Sequence, residues 1–285
     1  MSELTKRILV AVIGIPLAIA IFYIGGICFD IAFAVVSSIA LWEFYNMAEK
    51  KGYPTFKLFG IVMGILPFVL HILYTISDSY IDFNFTIFDA VAIIPILLFV
   101  FITGTLVLAL LSNRPNAMAS IGAMFTAYFE ITISFVALVI LRDMNFDGIS
   151  DFGFYIVILL FTSIWLCDSA AYFIGRKFGK HKLYPSVSPK KSVEGAIAGF
   201  IASAVWFPVI SHLIMPSFNI IYAVILGIAI GIFGQIGDLV ESKLKRDADI
   251  KDSSNIIPGH GGILDRFDSI IFTTPIILII LIIIY

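Results

Sequence analysis

Apolar runs long enough to cross a bilayer recur from one end of this chain to the other, and that recurrence limits the fold more than any other feature. A helix needs about 20 apolar residues to span a hydrocarbon core. Segments of that kind fall near 8–24, 29–47, 58–76, 88–111, 117–141, 153–175, 194–215, 220–240 and 263–284. They predict an all-α integral membrane protein: a polytopic bundle of about nine transmembrane helices, forming a single domain over residues 1–285. With 60% hydrophobic residues, 13% charged residues and a mean hydropathy of +1.04, water alone cannot be the solvent of such a chain.

The first run follows Lys6 and Arg7 and could be mistaken for a secretory leader, with small residues at Ala18 and Ala20. It continues through Ile21, Phe22 and Tyr23 with no polar cleavage region after it, so it reads as the first membrane anchor. Cys28 and Cys167 fall in or beside apolar segments without metal spacing, which gives a disulfide framework no support. The net charge of −2, with basic residues confined to a few loops, argues against nucleic acid as a partner.

Those basic residues set the orientation, because cytoplasmic loops retain lysine and arginine. With the N-terminus inside, Lys50, Lys51 and Lys57 are cytoplasmic. So are Arg114, the group Arg176, Lys177, Lys180, Lys182, Lys190 and Lys191, and the group Lys243, Lys245, Arg246 and Lys251. Arg142 stands on the other side among Asp143, Asp147 and Asp151, and Tyr285 ends outside. Two cytoplasmic loops, 176–193 and 241–262, stand out by length and polarity, and function is expected there.

Ionisable groups within spans are costly and need a partner, a wet cavity or a role. They gather late in the chain: Asp168 with Tyr172 one turn on, Asp238 at the end of the eighth span, and Asp265, Arg266 and Asp268 at the start of the ninth. A single aspartate of this sort reads equally as a helix cap or the partner of a lysine. Several carboxylates converging in one polar cavity repel unless cations lie between them, which favours a hard metal ion. Glu43, His71, Asp89, Glu130 and His212 stand isolated in the sequence, and packing or interfacial roles are expected of them.

Before the ninth helix, Pro258-Gly259-His260-Gly261-Gly262 offers small residues whose amides can approach phosphate at a helix start, or else makes a tight re-entry turn. Ser188-Pro189-Lys190-Lys191-Ser192 sets two cations between hydroxyls, which suits a polyphosphate. It also fits an ordinary positive-inside anchor with Ser192 as a helix N-cap. Carboxylates for a divalent metal, cations and amides for phosphates, and a membrane location together point to phosphoryl or nucleotidyl transfer onto a lipid.

The run from Ser242 to Asp268, SKLKRDADIKDSSNIIPGHGGILDRFD, resembles the signature of the phosphatidate cytidylyltransferase (CDP-diglyceride synthase) family. The matching positions are Ser242, Leu244, Lys245-Arg246, Lys251-Asp252, Ser254, Ile257-Pro258, His260-Gly261-Gly262, Asp265-Arg266 and Asp268. Upstream, Asp168 to Tyr172, Gly175-Arg176, Gly179, Ser188 to Ser192, Glu194-Gly195 and Gly237-Asp238 are similar to family segments too. The N-terminal helices within 1–150 match in hydrophobic character alone, so the resemblance assigns catalysis to 153–285.

The resemblance implies an enzyme, a nucleotidyltransferase that converts CTP and phosphatidate into CDP-diacylglycerol and pyrophosphate in phospholipid biosynthesis. It implies a homodimer, and the compact chain suggests a bacterial inner membrane. Mg2+ is the expected cofactor, with a second cation such as K+. Carried onto matching positions, Asp238 and Asp265 are the metal ligands, with Asp168 and Asp268 as second choices. Asp238, Asp265, Asp268, Lys245 and Arg246 form the catalytic set. Ser188, Lys190, Lys191, Ser192, Lys251, His260, Gly261, Gly262 and Arg266 would bind substrate phosphates. A CTP-dependent lipid kinase would use similar cation logic, but the signature argues against it. A transporter would place charges near the bilayer midplane rather than at one interface.

Overall fold

The computed structural model describes residues 3–80, 87–113, 115–146 and 148–284. Arg114 and Asp147 lie outside the described residues, as do the side chains of Lys6, Arg7 and Asp89. Nine helices are described: α1 Glu3–Ile24, α2 Gly26–Lys50, α3 Lys57–Tyr80, α4 Ile87–Leu111, α5 Ala117–Asp143, α6 Phe152–Phe178, α7 Val193–Ile214, α8 Ile220–Asp247 and α9 Leu264–Ile284. Among the described residues, eight have the length and apolarity to cross a membrane, while the apolar part of α1, Ile8–Ile24, is shorter. The chain is therefore a polytopic all-α membrane protein, as its apolar runs predict.

The fold adds two things to the expected spans. Residues 182–192 are not plain loop: β1 Lys182–Tyr184 pairs antiparallel with β2 Ser188–Ser192. Helix α8 also runs on to Asp247, so Ser242, Lys245 and Arg246 ride on a helix instead of a loop. A charged extension of this kind cannot be found by counting apolar residues. An i,i+4 pair between Glu241 and Lys245 supports it.

Close packing of the late helices rests on small residues, as expected where lipid removes the hydrophobic drive between helices. Gly195 and Gly199 on α7 face the carbonyl oxygens of Ala171 and Cys167, which an added Cβ would approach to 2.6 and 2.8 Å. Gly227, on α8, lies likewise against the Ser203 carbonyl. The start of α9 is held differently, by an aromatic anchor. Phe267 makes edge contacts with Phe33 of α2, Phe135 of α5 and Phe161 of α6, at centroid distances of 6.3, 5.5 and 6.2 Å. That anchor fixes the register of its chain neighbours, Arg266 and Asp268.

Large side chains such as Ile197, Val205 and Leu213 on α7 are exposed, which is the arrangement lipid contact requires. A separate polar cluster lies away from the late helices. His71 Nδ1 is 2.9 Å from Asp30 Oδ2, and its Nε2 is 3.6 Å from Asp143 Oδ2. His71 is thus not isolated, contrary to expectation, but joins α2, α3 and α5. Glu130 and His212 are exposed on their helices.

Candidate active site

One site is assembled where β2 meets the end of α8. Lys191, in β2, forms an ion pair with Asp238, whose other oxygen accepts a 3.3 Å hydrogen bond from Ser242. Gly237 makes this placement possible. A Cβ there would come within 2.6 Å of Phe272 and 2.7 Å of the Asp268 carbonyl, so only glycine lets α8 and α9 approach so closely. Asp168 of α6 completes the group: Asp168, Asp238 and Asp268 stand close enough for their charges to act on one another. Lys191 and Arg266 also lie within electrostatic range of Asp168.

A second assembly surrounds Asp265. Its Oδ1 lies 2.6 Å from Lys245 Nζ, and Lys245 in turn lies 2.5 Å from Glu241 Oε2. Its Oδ2 accepts from the amides of Ser253 and Gly262, at 2.9 and 2.8 Å, and from the Ser253 hydroxyl at 3.0 Å. Both oxygens of Asp265 are therefore engaged, and Asp238 is the more open carboxylate. Lys245 is buried between two carboxylates, a setting the sequence does not reveal.

The glycine turn has its own internal partners. Gly259 and Gly261 take positive φ angles of 77° and 83°, and an isolated bridge joins Ile257 to Gly261. The amide of Gly262 is bound to Asp265, and the next two amides, of Ile263 and Leu264, donate to Glu43 at 3.0 and 2.8 Å. The protein's own carboxylates thus occupy the helix start where phosphate was expected. His260 lies in the turn with a buried Nδ1 that has no hydrogen-bond partner among the described residues.

The remaining candidates fall into two groups. Lys190, Lys251 and Arg266 are exposed, and Ser188 is half-buried in β2. By contrast, Arg246 donates to the Ile250 carbonyl at 2.8 Å, and the Ser192 hydroxyl accepts from the Gly195 amide at 3.2 Å as the N-cap of α7. Glu194 grips the foot of the hairpin, accepting from the amides of Lys180 and His181. Val193, just after the hairpin, and Leu239, next in the chain to Asp238, help to line an apolar hollow of about 350 Å³ with Ile197, Phe200 and Ile236.

Glu43 is the residue that sequence reasoning missed. It lies in α2, far from the signature in sequence, and nothing around it marks it as functional. Its only signal was the cost of a carboxylate in an apolar helix, a cost met here by hydrogen bonds to the loop.

The carboxylates fit a hard divalent cation by donor chemistry, since all are oxygen ligands, with Asp168 on α6, Asp238 on α8, and Asp265 and Asp268 on α9. Among the described residues no three carboxylate, histidine or cysteine side chains surround a single point. Magnesium commonly uses one or two carboxylates and completes its shell with water and substrate phosphate, so the donor set remains adequate.

Residues 5–284 match the cytidylyltransferase family. The chain is 33% identical over 278 residues to a phosphatidate cytidylyltransferase of Bacillus subtilis, covering 96% of each protein. A phosphatidate cytidylyltransferase of Staphylococcus haemolyticus is 34% identical over 276 residues, covering 97% of this chain and 98% of that protein. One from Staphylococcus aureus is 32% identical over 288 residues, with the same coverage.

Proposed function

The chain belongs to the cytidylyltransferase family, and we infer from that membership that it transfers CMP from CTP to phosphatidate, giving CDP-diacylglycerol and pyrophosphate. The observation that carries this reading is similarity over nearly the whole length to relatives that bear the name of this reaction. It is a nucleotidyltransferase of phospholipid biosynthesis and a multi-pass membrane protein.

In the reaction a phosphatidate phosphate oxygen attacks the α-phosphorus of CTP. The bond from that phosphorus to the bridging oxygen breaks, and pyrophosphate leaves in line. Catalysis of this kind is mainly positioning and charge neutralisation. Lys191 is already placed beside Asp238, and the exposed Lys190, Lys251 and Arg266 are available to phosphate oxygens. Ser188 would donate a hydrogen bond. Lys245 serves from behind, holding Asp265 and Glu241 together. No covalent enzyme intermediate is required.

Magnesium would be held by Asp238, with Asp168 and Asp268 beside it and Asp265 as the second family-matched ligand. A further cation such as K+ belongs to the same proposal. When bound, magnesium would supply positive charge to the triphosphate. The distribution of lysine and arginine supports a cytoplasmic N-terminus and site and an external C-terminus, and the compactness of the chain is what suggests a bacterial inner membrane. The homodimer rests on family resemblance, and the mass of the purified protein in detergent tests it. For the reaction itself, the fates of the α- and γ-phosphorus of CTP are the test.

A further inference from the structure

Glu43 is fully buried, yet among the described residues it pairs with no lysine, arginine or histidine. Its partners are two hydroxyls and two backbone amides. Oε1 accepts from Ser254 Oγ at 2.5 Å and from the Ile263 amide at 3.0 Å. Oε2 accepts from Ser253 Oγ and the Leu264 amide, both at 2.8 Å. The amides are those of Leu264, the first residue of α9, and of Ile263 just before it, where a helix leaves N–H groups without internal partners and favours negative charge. The chain normally supplies such a cap locally. Here it comes from 220 residues earlier.

A second observation shows how close this contact is. A Cβ at Gly262 would collide with Ser253 Oγ and both carboxylate oxygens of Glu43. Glycine at that point admits the carboxylate to the backbone. Ser253 also lies 3.0 Å from Asp265, so its single hydroxyl proton is shared between Glu43 and Asp265. Glu43 thereby ties both ends of the segment 253–264 to α2, and Asp265, with Lys245 behind it, follows directly.

We propose that Glu43 is a positioning residue for the transfer reaction: it holds the 253–264 loop and the start of α9 at the spacing that places Asp265, Arg266 and Asp268. The proposal rests on the cytidylyltransferase reading of the site. It gives α2, from the half of the chain with no signature, a direct part in setting the rate. Glu43 touches no reacting atom. A glutamine there keeps the volume but turns an amide nitrogen towards groups that are themselves donors.

The test compares Glu43→Gln and Glu43→Asp with the parent in detergent, measuring kcat and KM for CTP, thermal unfolding, and amide exchange across the chain. Displacement of a reacting group by an ångström costs rates far more than binding, so kcat should fall at least about tenfold in Glu43→Gln while KM for CTP changes much less. Amides of 253–264 should exchange faster with those of α6 and α7 unchanged, and Glu43→Asp should recover part of kcat. Should the glutamine variant fail to fold, the aspartate variant decides by the same split. Parental kcat in a folded variant overturns the proposal. So does a loss of activity that only follows the folded fraction. If the parent protein itself makes no CDP-lipid, the reading of the reaction fails, while local amide exchange still reports on Glu43.

Discussion

Lys191 in the hairpin and Asp238 on α8 form an ion pair across 47 residues of sequence, and this pair joins the hairpin to α8. Both side chains are about seven-tenths buried, so the pair is neither a screened surface contact nor a sealed core one. In the proposed mechanism each partner also has a task, Lys191 towards phosphate and Asp238 towards a cation. Lys191→Met and Asp238→Asn should each remove most activity. Because the two share one contact, their combined effect should fall short of additive, by a coupling of about 0.5–3 kcal/mol. Steady-state kinetics on the four proteins of a double-mutant cycle measure it.

Asp265→Asn should lose both activity and stability. The substitution leaves the Lys245 ammonium buried with Glu241 alone and weakens an acceptor for Ser253 and Gly262. Breaking a buried pair from one side costs about 3 kcal/mol. Denaturation in detergent, read beside activity, checks this. An Asp238→Asn protein should instead stay close to the parent in stability, since Asp238 is the more open group.

Gly237→Ala should separate α8 from α9. The added methyl meets Phe272 and the Asp268 carbonyl, and overpacking of that kind costs about 1–3 kcal/mol. Activity should fall further than stability, because the two helices carry Asp238 and Asp268. Thermal unfolding and turnover on the same preparation separate the two effects.

Chelation of divalent ions should stop transfer, and added magnesium should restore it. Asp238→Asn should require a higher magnesium concentration for half its maximal rate, or show no recovery. A chelated enzyme with full activity would remove magnesium from the proposal.

The membrane fold was legible because hydrocarbon imposes its thickness on a span: the nine apolar runs correspond to nine described helices, eight of them of membrane-crossing length. The end of α8 was not, because Ser242 to Asp247 continue the helix by charge pairing and not by apolarity. Local motifs identified Asp238, Asp265 and Lys191 as candidates. They could not show that Lys245 is enclosed by Glu241 and Asp265, or that Glu43 caps α9, because both depend on contacts between segments distant in sequence. The hairpin was hidden for a simpler reason: three- and five-residue strands leave too short a pattern to distinguish from a polar loop.

The most direct measurement follows labelled phosphorus from CTP through the purified protein with magnesium and phosphatidate. Label at the α-position should enter the lipid fraction as CDP-diacylglycerol, while label at the γ-position should leave as pyrophosphate. Entry of the γ-label into lipid, or CTP left intact, would contradict cytidylyl transfer.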